Sequence, residues 1–181
     1  LDLIAKSFIN PGDKIVVESP TYLAALQTFR MYGAEFIEAP VDADGVMADE
    51  LDKILASEEN VKLIYMIPSF QNPSGRTVSA ERRKAIMEVV QKYDVILIED
   101  APYEDLKYTD DVYPCMKSMD TTGQVLYFGS FSKVITPGFR LGYSIASEPI
   151  LSRMIIGKQS CDLNCSVFSQ AVLAEFLKRG L

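Results

Sequence analysis

Val125-Leu126-Tyr127-Phe128-Gly129-Ser130-Phe131-Ser132-Lys133-Val134-Ile135-Thr136-Pro137-Gly138-Phe139-Arg140-Leu141-Gly142 is the stretch on which the fold turns. Val125 to Phe128 is a short apolar run that reads as a buried strand. The Gly and Ser residues after it end regular structure and leave one lysine between small polar residues and a Pro-Gly break. A lysine walled off from water disfavours its ammonium form, and the free amine can attack a carbonyl. Two hydroxyls, Ser130 and Ser132, and the Arg140 guanidinium lie near it in sequence, and these are groups that gather around a phosphate. Two readings stand at this point: a carbonyl-trapping lysine beside a phosphate cup, or a surface lysine in a Ser-rich loop.

The strand before that loop is one of several. Lys14–Glu18, Ala34–Glu38, Lys62–Ile67, Val95–Ile98 and Leu141–Ala146 also carry β-branched or apolar runs of strand length. Between them Tyr22–Tyr32, Met47–Leu55 and Ser79–Tyr93 carry helical periodicity, with Leu1–Phe8 before them and Pro149–Ile156 and about Ser160–Lys178 after. Ser79 is placed to cap its helix, and Arg82-Arg83-Lys84 are expected on that helix's wet side. Asp42 to Gly45 reads as a turn. Strands alternating with helices predict an α/β fold, a mainly parallel sheet covered by helices on both faces. In such sheets ligands lie beyond the carboxyl ends of the strands.

The unusual polar residues fall there. Asp100 ends the run Ile96-Leu97-Ile98-Glu99, and a carboxylate at the tip of a buried strand is costly unless something positive meets it. A protonated pyridine nitrogen would do so; a helix cap or a surface ion pair is the plainer alternative. Tyr103 offers a phenol to the same ring, or simply packs half-buried. Asn72, before Pro73, either donates its amide to the ring or only shapes an Asn-Pro turn. Tyr22, after Ser19-Pro20-Thr21, lays its ring over a flat ligand or against the core.

Composition narrows the chemistry. The 181 residues suffice for one domain with a substantial core. A net charge of -7 argues against nucleic acid or a membrane surface as partner, and no apolar run is long enough to span a bilayer. The chain has no histidine, so Ser-His-Asp and Cys-His nucleophile systems are excluded and acid–base work falls to Lys, Tyr, carboxylates or a cofactor. Cys115, Cys161 and Cys165 are an odd count without a framework, the pattern of reduced thiols in a cytoplasmic protein. Cys161 and Cys165 stand four apart on an expected helix; with no histidine and no second cysteine pair, no metal site is expected.

Glu18-Ser19-Pro20-Thr21-Tyr22, Phe70-Gln71-Asn72-Pro73-Ser74-Gly75, Glu99-Asp100-Ala101-Pro102-Tyr103, and Ser130-Phe131-Ser132-Lys133 with Arg140-Leu141-Gly142 together resemble fold-type I pyridoxal-phosphate enzymes. More narrowly, they resemble class I/II aminotransferases of the 2-aminoadipate/kynurenine aminotransferase subgroup. The resemblance runs in order over nearly the whole chain. It implies a three-layer α-β-α sandwich, the aminotransferase large domain, over residues 1–181. It also implies pyridoxal 5'-phosphate as cofactor, amino acid and 2-oxo acid substrates, and a homodimer when full length.

By position, the resemblance makes Lys133 the Schiff-base lysine and proton carrier, and Asp100 the partner of the pyridine nitrogen. Asn72 and Tyr103 would hold the ring's 3-oxygen, Tyr22 would stack on the ring, and Ser130, Ser132 and Arg140 would bind the phosphate. The family's Gly/Ser-Gln phosphate turn, its N-terminal crossing segment and its C-terminal small domain, with the arginine that grips the substrate carboxylate, have no counterpart here. The chain therefore reads as a large-domain fragment, expected to be inactive alone. Two rival readings share the motifs: an effector-sensing domain fused to a DNA-binding winged helix, and a lyase or decarboxylase on the same fold.

Overall fold

A computed structural model describes residues 1–180. Six strands form one sheet: β1 (Lys14–Glu18), β2 (Glu35–Ala39), β5 (Val61–Met66), β6 (Ile96–Asp100), β7 (Val125–Ser130) and β8 (Gly142–Ile145). Their order across the sheet is β2-β1-β5-β6-β7-β8. Every neighbouring pair is parallel except β7 with β8, which run antiparallel with Ser130 opposite Gly142. A two-stranded hairpin, β3 (Val41–Asp42) with β4 (Gly45–Val46), surrounds the expected turn; runs of two residues are too short to carry a periodic signal.

Alternation along each strand sends neighbouring side chains to opposite faces. On β5, Leu63 and Tyr65 join Ile98 of β6 beneath the helices α1 (Asp2–Phe8), α2 (Leu23–Met31) and α5 (Glu148–Cys161). Ile64 and Met66 join Leu97 and Val125 beneath α3 (Ala48–Ser57) and α4 (Ala80–Val90). The result is the expected three-layer sandwich with a core on each face of a mainly parallel sheet. A last helix, α6 (Val167–Lys178), buries only Leu173.

Two local expectations need correction. Arg83 is completely buried and does not lie on the wet side of its helix. It shares a face with Ile86, Met87 and Val90, three, four and seven residues on, so helical spacing carries it inward. There its guanidinium donates to the carbonyls of Val78, Pro68 and Pro114 and to Ser69 Oγ. Cys161 and Cys165 do not share a helix: Cys161 ends α5, and Cys165 lies in the turn before α6. Ser79 does cap α4, its hydroxyl accepting from the Arg82 amide at 3.2 Å.

Candidate functional site

Four parallel strands, β1, β5, β6 and β7, end at the same edge of the sheet, and the loops after them meet around one cavity of about 350 Å³. Tyr22 reaches it from the start of α2, and Asn72 from the loop after β5. Asp100 and Tyr103 come from the end of β6 and the turn beyond it, and Ser130, Ser132, Lys133 and Arg140 from the end of β7 and its loop. All eight line that cavity. The convergence follows from the parallel topology, which puts the carboxyl ends of the central strands on one side.

The loop after β7 is closely built. Gly129, opposite Tyr143, and Gly142, opposite Ser130, stand where β7 and β8 separate, and neither position has room for a side chain. A Cβ on Gly129 would lie 2.5 Å from the Tyr143 ring, and one on Gly142 would lie 2.8 Å from the Gly129 carbonyl oxygen. The Tyr143 ring in turn packs 5.3 Å from that of Phe131. Ser130 Oγ accepts from the Ser132 amide at 3.1 Å, which leaves the Ser130 hydroxyl proton free to donate. Arg140 adopts left-handed backbone geometry, φ +53°, and one of its guanidinium nitrogens reaches the Pro137 carbonyl at 3.4 Å. Its remaining N–H groups stay available.

Lys133 lines the cavity and is exposed, so, of the two readings that the loop's sequence left open, this chain does not by itself wall the amine from water. Among the described residues, the Lys133 amine, the Asn72 amide and the Tyr103 phenol have no hydrogen-bond partner within the chain.

Asp100 is the electrostatic centre. It is 5% exposed, and burial pushes its carboxyl up to about 6 against the downward pull of a hydrogen bond from Tyr65. Above that pH it is a buried anion, and among the described residues no lysine or arginine pairs with it. Glu99, one residue earlier, points to the opposite face and accepts from the amides of Met116 and Lys117, so the adjacent carboxylates serve different layers. Among the described residues no group of three or more His, Cys, Asp or Glu is placed to hold a metal.

Three further residues support the cavity without having been singled out in the sequence. Tyr65 is described below. Glu18 ends β1 as Asp100 ends β6, the same signal of a carboxylate at the tip of a buried strand. Its Oε2 accepts from the Ile67 amide at 2.9 Å and from Gln71 at 3.4 Å. Burial pushes Glu18 up to about 7 despite those bonds. Gln71 also donates to the Pro20 carbonyl at 2.7 Å and accepts from the Ser74 amide at 2.8 Å. One amide thereby ties the loop that carries Tyr22 to the loop that carries Asn72. The Ser19-Pro20 and Asn72-Pro73 bonds in those loops are both cis.

Comparison with known proteins matches this architecture to one family. Residues 1–180 match the family described as "Aminotransferase class I and II". Aromatic-amino-acid aminotransferase 1 of Thermococcus litoralis is 45% identical over 184 residues, covering 99% of this chain and 44% of the relative. The crystal structure of Pyrococcus horikoshii kynurenine aminotransferase, in complex with PMP and with kynurenine and its product, superposes with a TM-score of 0.94 at 42% identity, covering 99% of this chain and 45% of the other. An uncharacterized HTH-type transcriptional regulator of Bacillus subtilis is 36% identical, covering 99% of this chain and 37% of the relative. The chain thus spans less than half the length of these relatives. With the sheet, the cavity and these matches in agreement, the chain belongs to the class I and II aminotransferase family.

Proposed function

We propose that this chain is the cofactor-binding large domain of a pyridoxal-phosphate-dependent aminotransferase. The observation that carries the reading is Asp100, a buried carboxylate with no lysine or arginine partner among the described residues, lining one cavity with an unpaired primary amine at Lys133. The rest of the donor set fits the same ligand. An anionic phosphate finds Ser130, Ser132 and the Arg140 guanidinium; a ring oxygen finds the Asn72 amide and the Tyr103 phenol; a flat ring finds Tyr22. When bound, the cofactor supplies an electron sink that stabilises negative charge developing at the substrate α-carbon.

The chain's own groups do the rest. Lys133 Nζ would hold the cofactor through its carbonyl group, and as a primary amine lining the cavity it would take up and return the proton that moves during amino transfer. Asp100, ionised above about pH 6, would pair with the ring nitrogen and favour its protonated form. Tyr103 and Asn72 would hold the ring oxygen, and Arg140 with the two serines would bind the phosphate. The overall reaction is amino transfer: an amino acid leaves as its 2-oxo acid, and a second 2-oxo acid takes up the amine. A cytoplasmic homodimer is the assembly we infer for the full-length protein.

The regulator relative supports one alternative, in which the same site binds the cofactor as an effector and a DNA-binding domain reads the result. Full-length protein incubated with pyridoxal phosphate, an amino acid and a 2-oxo acid separates the two readings. The enzyme reading expects a new 2-oxo acid to accumulate, with the product lost in Lys133→Ala. No turnover with any amino donor, together with DNA binding that changes on cofactor addition, would favour the regulator.

A further inference from the structure

Among the described residues, Tyr65 is the only residue outside the cavity whose side chain hydrogen-bonds a side chain of the eight candidate residues in its lining. Tyr65 stands on β5 with its ring fully buried, edge-on to Phe29 at 5.7 Å between centroids and 73° between planes. A buried phenol needs a partner. Its hydroxyl donates to Asp100 Oδ2 at 2.6 Å, a length typical of a hydroxyl bonded to an ionised carboxylate. Burial, the Asp100 charge and the bond itself all push the Tyr65 pKa far upward, so the phenol keeps its proton and remains a donor.

A carboxylate has two oxygens, and here they are divided. Oδ2 is taken by Tyr65. Oδ1 has no donor among the described residues, and Asp100 lines the cavity. We propose that Tyr65 is a positioning residue that locks one oxygen of Asp100 so that the other alone is presented to a protonated ring nitrogen, keeping the carboxylate ionised and aimed. The inference rests on the reading that a pyridine ring occupies the cavity. The titratable and charged groups around Asp100 are Tyr65 and Glu18 from the neighbouring strands, the Leu1 amino group, and Tyr22, Tyr103, Lys133 and Arg140 in the cavity. Of these, Tyr65 is the one that holds the carboxylate directly by a hydrogen bond.

The test uses full-length protein without and with cofactor. In the cofactor-free protein, the Asp100 carboxyl is titrated by difference infrared spectroscopy, with Asp100→Asn identifying the band. Tyr65→Phe is expected to raise its midpoint by about one pH unit, a tenfold gain in proton affinity, because the bond that favours the charged form is gone. With pyridoxal phosphate added, the same variant is expected to bind it about tenfold more weakly, the scale of one lost bond to a charged group. In an Asp100→Asn background it should add less than twofold. An unmoved Asp100 midpoint overturns the proposal, and so does an undiminished effect in that background. Should Tyr65→Phe not fold, a ring-fluorinated tyrosine at position 65 keeps the shape with a stronger donor and should lower the midpoint; no change overturns the proposal. If Asp100→Asn alone leaves cofactor affinity unaltered, the cofactor reading falls, while the infrared titration still decides whether Tyr65 governs Asp100.

Discussion

Asp100 and Glu18 show how one physical signal can be noticed once and missed once. Both end a buried strand with a carboxylate, and both are pushed up by burial, Asp100 to about 6 and Glu18 to about 7. Asp100 faces the cavity, and in full-length protein Asp100→Ala is expected to leave Lys133 able to hold the cofactor while slowing amino transfer by roughly a hundredfold or more, the scale of losing an electrostatic group at the reacting centre. Near-normal steady-state rates would remove Asp100 from that role. Glu18 faces protein, and its consequence is for stability. Its folded pKa lies above its ordinary 4.5, so between pH 4.5 and about 7 the folded state binds the extra proton and stability falls as pH rises. At about 1.4 kcal/mol per unit the fall is roughly 3 kcal/mol. Urea midpoints of cofactor-free protein at pH 5 and pH 8 should differ less in Glu18→Gln than in the parent, with the slope that remains belonging to Asp100 and to Glu99, which burial also pushes up. Superimposable profiles would contradict the assignment.

Among the elements, those with strong patterns were legible and those set by tertiary context were not. The six principal strands and the α4 cap could be read because apolar runs and an N-cap serine are local signals. The burial of Arg83 could not, because a positive charge normally marks the solvent face; only three carbonyls from two loops, Pro68 and Val78 before α4 and Pro114 beyond β6, make it tolerable there. The contrast with its neighbour gives a test. Arg83→Ala leaves three buried acceptors, and a fourth at Pro114, without their donor and is expected to cost about 3 kcal/mol or more, or to prevent folding. Arg82 pairs with Asp42 at 2.7 Å on the partly exposed side, and Arg82→Ala is expected to cost less than about 1 kcal/mol. Thermal unfolding of the two variants side by side measures the difference. The cavity residues themselves were legible as a set because the parallel topology leaves little choice of where strand ends point. The Gln71 link between two loops was not, since nothing local tells which of its neighbours an amide will reach.

At the scale of the whole molecule, the sheet has a core on each face, yet the last two helices leave apolar side chains open. Val167, Phe168 and Leu177 of α6, with Ile155 and Ile156 of α5, are exposed. Exposed apolar side chains of this size are expected to bind an apolar fluorescent dye in the 181-residue chain. Phe168→Ser should reduce that binding while changing the unfolding free energy by less than about 0.5 kcal/mol. Dye binding unchanged in Phe168→Ser would place the open surface elsewhere. The central claim concerns the cavity at the sheet edge, and a single covalent measurement addresses it. Full-length protein is mixed with pyridoxal phosphate, reduced with sodium borohydride to fix any carbon–nitrogen bond formed, and digested for peptide mass analysis. The account predicts one pyridoxyl group on Lys133, and none at that site in Lys133→Ala; a label distributed over other lysines with Lys133 unmodified would contradict it.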